Sequence, residues 1–283
     1  MITPKVTVTC DACCTLPPQH KTNLHIPSIP ATIKTDKGEF LEGKEVTTQN
    51  ILDYMRRTEK MPRLIPPTVE EYRRFFMEQQ KSTPVICHFS ASSKLSEAYR
   101  NATEAAVSLK NVYVIDSLQV GSGMNYQVIQ GARLASEGFG AEFIKKSSRE
   151  IEPNIVNKYT GENTDFLRIC KNGKSIGCSL MDMFGRTPAV SIKGGVIKSN
   201  SVHNNAKGEY WKRFIKKELA EQKNISREIV FLTFANSYKV DTEKYINEVK
   251  KYIDFDKIIV TNMSPQIAMY MGEKGFGLSY LLK

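Results

Sequence analysis

The 283-residue sequence lacks any uninterrupted apolar run of about 18 residues, and the start Met1-Ile2-Thr3-Pro4-Lys5 opens only a short one. Neither a membrane-spanning helix nor a secretory leader is therefore expected, and the cytoplasm is the expected location. Histidine is scarce: His20, His25, His88 and His203 have no visible Ser/His/Asp arrangement around them. Also missing is a phosphate-cradling glycine loop ending in Lys-Ser/Thr, and Gly121-Ser122-Gly123 lacks the third glycine of the dinucleotide fingerprint. No nucleotide or nicotinamide site is expected, and no cofactor. Internal repeats and low-complexity tracts are absent as well.

What is present is the composition of a folded chain, 41% hydrophobic and 25% charged, with a length that suggests about two domains. Six cysteines (Cys10, Cys13, Cys14, Cys87, Cys170, Cys178) are expected as free thiols in a reducing compartment. The net charge of +10 is uneven, with 16 Lys/Arg against 15 Asp/Glu in residues 1–142 and 24 against 15 beyond. A basic second half suits an anionic ligand, an acidic partner, a membrane surface or nucleic acid, and charge alone does not choose among them.

Apolar runs suited to strands alternate with helix-period segments through the first half. Val6-Thr7-Val8-Thr9, Pro84 to Phe89 and Val112 to Ile115 read as strands; Ile51 to Arg57, Val69 to Gln80, Leu95 to Leu109 and Tyr126 to Ser136 read as helices. Thr47 or Thr48 can cap the first helix, Thr68 with Glu71 forms a capping box for the second, and Asp36-Lys37-Gly38 reads as a hairpin turn. Such alternation predicts a three-layer domain with a parallel sheet and helices on both faces, over residues 1–160. The second half predicts a two-layer α/β sandwich with a mixed sheet over 161–283. Its elements are a helical Leu180 to Phe184, two short strands around Gly194-Gly195, a charged helix over Lys207 to Gln222, a strand at Ile229 to Thr233, a helix at Val240 to Tyr252, and strands at Lys257 to Thr261 and Leu278 to Leu282.

The segment Val85-Ile86-Cys87-His88-Phe89-Ser90-Ala91-Ser92-Ser93-Lys94-Leu95-Ser96 runs a strand straight into hydroxyls at the expected start of a helix. Ligands of open α/β sheets sit beyond the strand carboxyl ends, and helix N–H groups with Ser hydroxyls would suit a carboxylate or phosphate there. The plain alternative is that Ser92 or Ser93 only caps the helix. Cys10 and Cys13, with Cys14 adjacent, have metal-ligand spacing, but no second paired Cys or His motif accompanies them, so small buried or turn thiols are the favoured reading. Tyr210-Trp211-Lys212-Arg213 with Lys216-Lys217 reads as the solvated face of an amphipathic helix, and no nucleic acid is expected as partner.

Taken in order, these segments resemble the DegV family of bacterial fatty-acid-binding proteins. Thr9-Cys10-Asp11-Ala12-Cys13-Cys14-Thr15-Leu16-Pro17 is similar to the family's Asp-Ser-Thr-Ala-Asp-Leu-Pro, keeping the Asp, Leu and Pro. Ser92-Ser93-Lys94-Leu95-Ser96-Glu97-Ala98-Tyr99 resembles Ser-Ser-x-Leu-Ser-Gly-Thr-Tyr, Val114-Ile115-Asp116-Ser117 matches a strand end, and Lys171-Asn172-Gly173-Lys174 resembles Lys-Gly-Gly-Arg. Pro265, Gly272 and Gly277 fall at the spacing of a C-terminal Gly/Pro-rich stretch. The resemblance implies a two-domain carrier that buries an acyl chain in a pocket reaching between its domains, holds the carboxylate near the Ser-rich turn, and presents it to a separate fatty-acid-kinase-type protein. It implies no bond chemistry by the carrier and at most transient membrane contact.

Departures fall at the implied head-group site. Leu64-Ile65-Pro66-Pro67-Thr68 stands where the family has Thr-Ser-Gln-Pro-Ser, Tyr270 where it has His, and Gly272-Glu273-Lys274 where it has Gly-Pro-Gly. Ser92 and Ser93 are the retained part. Arg63, Tyr270 and Lys274 are candidates to replace the lost donors, although Tyr270 reads equally well as packing. The site residues expected from the resemblance are thus Ser92, Ser93, Leu64, Ile65, Arg63, Tyr270 and Gly272. The leading expectation is a binder of a long-chain fatty acid or similar lipid. The alternatives are a binder of a less polar lipid, a scaffold that keeps only a partner surface, and a thiol or zinc enzyme built on Cys10, Cys13 and Cys14.

Overall fold

The computed structural model describes residues 6–161, 189–199 and 209–283. The Lys171-Asn172-Gly173-Lys174 motif, Cys170, Cys178, His203 and the helix expected at Leu180 to Phe184 lie outside the described residues. The chain divides into two compact units: the first takes the described residues of 1–45, 64–153 and 194–196, the second those of 46–63, 154–193 and 197–283.

In the first unit, β1 (Val6–Asp11), β2 (Ser28–Ile29), β6 (Val85–Ser90) and β7 (Val112–Asp116) form a wholly parallel sheet in the order β2-β1-β6-β7. Every residue of β6 is buried, as a central parallel strand covered on both faces must be. Side chains alternate across a strand, so the two faces of β6 can be read apart. His88 stands 5.2 Å from the ring of Phe76 on α3 (Val69–Gln80), which packs against α4 (Ala98–Val107). Cys87 and Phe89 point the other way: the Cys87 thiol meets the Ala141 carbonyl at 3.9 Å, and Phe89 fills the space beside Gly131. Those contacts belong to α5 (Ser122–Ser136) and α6 (Ala141–Ile151). This is the expected three-layer arrangement.

Both capping boxes form, Thr47 with Asn50 at α2 (Thr48–Thr58) and Thr68 with Glu71 at α3, each satisfying two N–H groups that a helix start leaves open. The expected hairpin joins β3 (Thr32–Thr35) to β4 (Gly38–Leu41), and β5 (Arg63–Ile65) lies on the other side of β3.

The second unit carries a mixed six-stranded sheet in the order β10-β9-β8-β13-β11-β12, from β8 (Ile155–Thr160), β9 (Ala189–Lys193), β10 (Val196–Ser199), β11 (Ile225–Phe234), β12 (Lys257–Asn262) and β13 (Phe276–Leu282). Strands β11 and β12 run parallel; β13 is antiparallel to both β11 and β8. The helix Tyr210–Ala220 turns Tyr210, Trp211, Phe214, Ile215 and Leu219 into one core with Val230, Leu232, Phe276 and Leu278. Trp211 stacks on Tyr245 at 4.0 Å, and Tyr245 meets Phe234 edge-on at 4.8 Å. Helix α2, expected with the first domain, groups here instead. The Thr48 hydroxyl donates to the Met263 carbonyl (2.8 Å), the Asn236 amide donates to Gln49 Oε1 (3.0 Å), and Arg56 pairs with Glu273 (2.9 Å).

Gly277 of β13 lies directly opposite Tyr159 of β8, and a Cβ at that position would stand 2.5 Å from the Tyr159 ring. A Gly277→Ala exchange must displace a fully buried tyrosine from a close-packed sheet, so it is expected to cost about 1–3 kcal/mol in denaturant unfolding. An unchanged midpoint would mean that the ring moves freely.

Candidate functional site

Strands β1 and β6 pair in register Thr9 with His88 and Cys10 with Phe89, which brings Asp11 beside the end of β6. Its carboxylate is buried, and four donors converge on it. Tyr72 Oη donates to Oδ1 at 2.6 Å and His88 Nε2 lies 3.1 Å from the same oxygen; Ser90 Oγ (2.8 Å) and the Ala91 N–H (2.7 Å) donate to Oδ2. His88 Nδ1 in turn meets the Thr9 hydroxyl at 2.9 Å. The rings of Tyr72, Phe75 and Phe76 stand edge-on or nearly so to the imidazole, at 5.4, 6.1 and 5.2 Å. Burial by itself pushes the Asp11 carboxyl up; the hydrogen bond and attraction of His88, the Tyr72 hydroxyl and the Ala91 N–H outweigh it and hold the group below its ordinary value. Burial and the adjacent carboxylate push the Tyr72 phenol upward, so it remains a donor.

The chain leaves β6 at Ser90 with Ala91 fixed by Asp11, and Ser92 follows. Helix α4 starts at Ala98, later than expected, so the serine pair does not open it. Instead the Ser92 carbonyl accepts from the N–H groups of both Leu95 and Ser96 at 3.0 Å, closing a separate turn. Long-range partners explain the difference. Asp116, at the end of β7, accepts from the Ser93 and Leu118 N–H groups at 3.1 Å each, and the Ser92 N–H donates to the Gln119 carbonyl at 3.0 Å. The Ser92 hydroxyl is buried, donates to the Gly195 carbonyl at 2.7 Å and accepts from the Lys94 N–H at 3.3 Å. Lys94 Nζ donates to the Gly194 carbonyl at 2.8 Å. Gly195, with φ +84°, fits only without a side chain, since a Cβ would come within 2.8 Å of Ser92 Oγ. Ser93 is exposed, and its hydroxyl has no protein partner among the described residues.

Leu64 and Ile65 are half-buried on β5 in the same unit, and Arg63 is exposed. Thr68 is spent on its capping box, and the Asn101 amide holds the Pro67 carbonyl at 2.9 Å. Tyr270 and Gly272 lie in the second unit. Tyr270 is buried on the helix Pro265–Met271, and Gly272 ends that helix at φ +75°, its N–H bonded to the Ala268 carbonyl at 2.8 Å. The Lys274 carbonyl accepts from the Tyr210 hydroxyl.

A second polar cluster follows β1. Cys10, Cys13 and Cys14 are all buried, with the Lys21 ammonium and the buried Glu42 carboxyl among them. The cysteines were legible as a group; Lys21 and Glu42 were not, because Lys21 comes from the short helix α1 (Pro18–Asn23) and Glu42 follows β4, where its N–H donates to the Ala31 carbonyl. Among the described residues no group of three or more His, Cys, Asp or Glu side chains is placed to hold a metal ion. Likewise, no helix of the described residues is long and apolar enough to cross a membrane.

Over residues 5–283 the chain matches the sequence model of a family described as "Uncharacterised protein, DegV family". A DegV domain-containing protein of Staphylococcus aureus is 25% identical over 270 residues, 92% of each chain. Among solved structures, a DegV family protein from Thermus thermophilus described for fatty acid binding superposes with a TM-score of 0.85 at 16% identity, covering 99% of this chain and 100% of that one. A DegV lipid-binding protein from Thermotoga maritima gives 0.81 at 20% identity, with 98% of each chain covered. DegV of Bacillus subtilis, a fatty acid binding protein, also gives 0.81, at 17% identity over 99% and 100%.

The Asp11 network sets an acid limb of stability. A carboxyl held below its ordinary value stabilises the fold fully above the unfolded pKa, near 4, and loses that contribution as pH falls through the lower folded value. Tyr72→Phe is expected to cost about 1.5–3 kcal/mol at neutral pH, the range for a hydrogen bond to a charged group. Asp11→Asn should lower stability at pH 7 and flatten the acid limb, so that its unfolding curve approaches the parent's as pH falls from about 4 through the lower folded value. Parallel pH profiles for the two proteins would remove Asp11 from this role.

Proposed function

Because the chain belongs to the DegV family, we propose that it binds a long-chain fatty acid or similar amphiphile and fixes its carboxylate at the turn carrying Ser92 and Ser93. The observation that carries this reading is the division of labour in that turn. Backbone N–H groups and the Ser92 hydroxyl are occupied by Asp116, Gly195 and Lys94, while the Ser93 hydroxyl is exposed and unengaged among the described residues. Ser92 is then a positioning residue, and Ser93 the donor offered to a ligand oxygen. Solved relatives of the same fold, described as fatty-acid-binding or lipid-binding, support the ligand class.

Tail burial supplies affinity and the head group supplies orientation. Each methylene taken out of water contributes about 0.8 kcal/mol, so a chain of about 15 carbons yields on the order of 12 kcal/mol before the costs of ordering it. Leu64 and Ile65 are apolar and half-buried on β5, and they join the site on the tail side of the carboxylate. In this reading the protein is a cytoplasmic carrier without bond chemistry of its own. Its exposed head-group end suits hand-over of the carboxyl to a separate kinase.

The apolar Leu64 and Ile65 favour one second reading, a less polar lipid such as an ester. Solvent extraction of the purified protein followed by mass spectrometry separates the two: a free fatty acid supports the first, an ester the second, and no lipid with no uptake of added acyl chains defeats both. Ser93→Ala is expected to weaken fatty acid binding by about 1–3 kcal/mol in calorimetric titration while leaving the melting curve in place. Unaltered affinity would put the head group elsewhere.

A further inference from the structure

One oxygen of Asp116 holds two parts of the serine turn at once. Oδ1 accepts from the Ser93 N–H and from the Leu118 N–H, at 3.1 Å each. The first bond fixes the backbone of the residue whose hydroxyl is exposed. The second closes a local turn over Ser117, of the kind an aspartate makes with the N–H two residues on. Leu118 sits there at φ +51°, in the left-handed region that a leucine rarely adopts. Without an acceptor for its N–H, Leu118 gains by returning to an ordinary conformation, and Gln119 moves with it. The Gln119 carbonyl accepts from the Ser92 N–H at 3.0 Å and from the Ser117 hydroxyl at the same distance. Asp116 therefore fixes the serine pair twice, directly at Ser93 and through Leu118 and Gln119 at Ser92.

Resting on the reading that Ser93 holds the head group, we propose that Asp116 is the positioning residue of that site: it places the Ser93 hydroxyl for a ligand oxygen without touching the ligand.

Charge does not explain an aspartate at this place. The hydroxyl offered to the ligand belongs to the same residue as the N–H that Asp116 holds, so a carboxylate bound there lies within about a Debye length of the Asp116 charge and is repelled by it. The Lys94 ammonium is turned to the Gly194 carbonyl at 2.8 Å. What Asp116 supplies is geometry. It ends β7, its Cα pairs with that of Ser90 across the ladder to β6, and its side chain reaches forward to the residue three beyond Ser90. Placement matters because a hydrogen bond weakens steeply when its donor is misaligned, and a turn fixed beforehand has less to lose on binding. Asparagine keeps the acceptor and drops the charge; alanine drops both. The two exchanges therefore separate placement from charge.

Calorimetric titration with palmitate across Asp116 and Ser93 variants is the test. Asp116→Ala is expected to weaken binding about tenfold where Ser93 is intact, and by less than about twofold where Ser93→Ala is already present, because its effect passes through the Ser93 hydroxyl. Asp116→Asn, the conservative exchange, should recover what Asp116→Ala loses. In the ligand-free protein, hydrogen exchange of the Ser93 amide should accelerate in Asp116→Ala and not in Asp116→Asn, a readout that needs no lipid. An equal loss with and without Ser93→Ala would make Asp116 a general support of the fold, and a loss in Asp116→Asn as large as in Asp116→Ala would assign the effect to charge; either result overturns the proposal. Binding that is lost in Ser93→Ala but indifferent to Asp116→Ala overturns it alone and leaves the reading of Ser93 standing. Absence of palmitate uptake by the parent overturns both.

Discussion

The Asp11 carboxylate is buried where β1 and β6 end together, and its desolvation is offset only because Tyr72, His88, Ser90 and the Ala91 N–H all converge on its two oxygens. Removing any one donor leaves three on the carboxylate, so the cost of a single loss is that of a hydrogen bond to a charged group. The four donors come from α3, from β6 and from the residue after it. One side chain therefore fixes the height of a helix, the end of a strand and the direction in which the chain departs toward Ser92.

That direction matters because the turn beyond it is assembled from distant parts. Asp116 arrives from β7, Gln119 from the loop after it, and Gly195 from the stretch 194–196, which belongs to the first unit. Each takes a donor that a free helix N-terminus would have offered to an anion. With those donors occupied, the turn keeps one exposed hydroxyl, that of Ser93, at a fixed place.

The layers were legible because local pattern and packing agree. The run Val85 to Phe89 is apolar on both faces of a central strand, and Thr68 with Glu71 announces a helix start through contacts only three residues apart. Ser92-Ser93-Lys94-Leu95 misled for the opposite reason: the sequence has the residues of a cap, while the deciding partners, Asp116 and Gly195, lie 23 and 103 residues away. Membership of α2 in the second unit depends on Met263 and Asn236, about as far from it as the chain allows, and periodicity contains no trace of such bonds. The grouping of Lys21 with the cysteines likewise appears only once the turn after Asp11 is folded.

Strand β13 lies between β8 and β11 in the middle of the six-stranded sheet, although it follows the other described strands in sequence. Until Phe276 to Leu282 has left the ribosome, β8 and β11 have no neighbour to join them, and the two halves of that sheet expose unpaired edges. Closure is thus a late event of high sequence separation, and nascent chains interrupted before it are the species that quality-control machinery would meet.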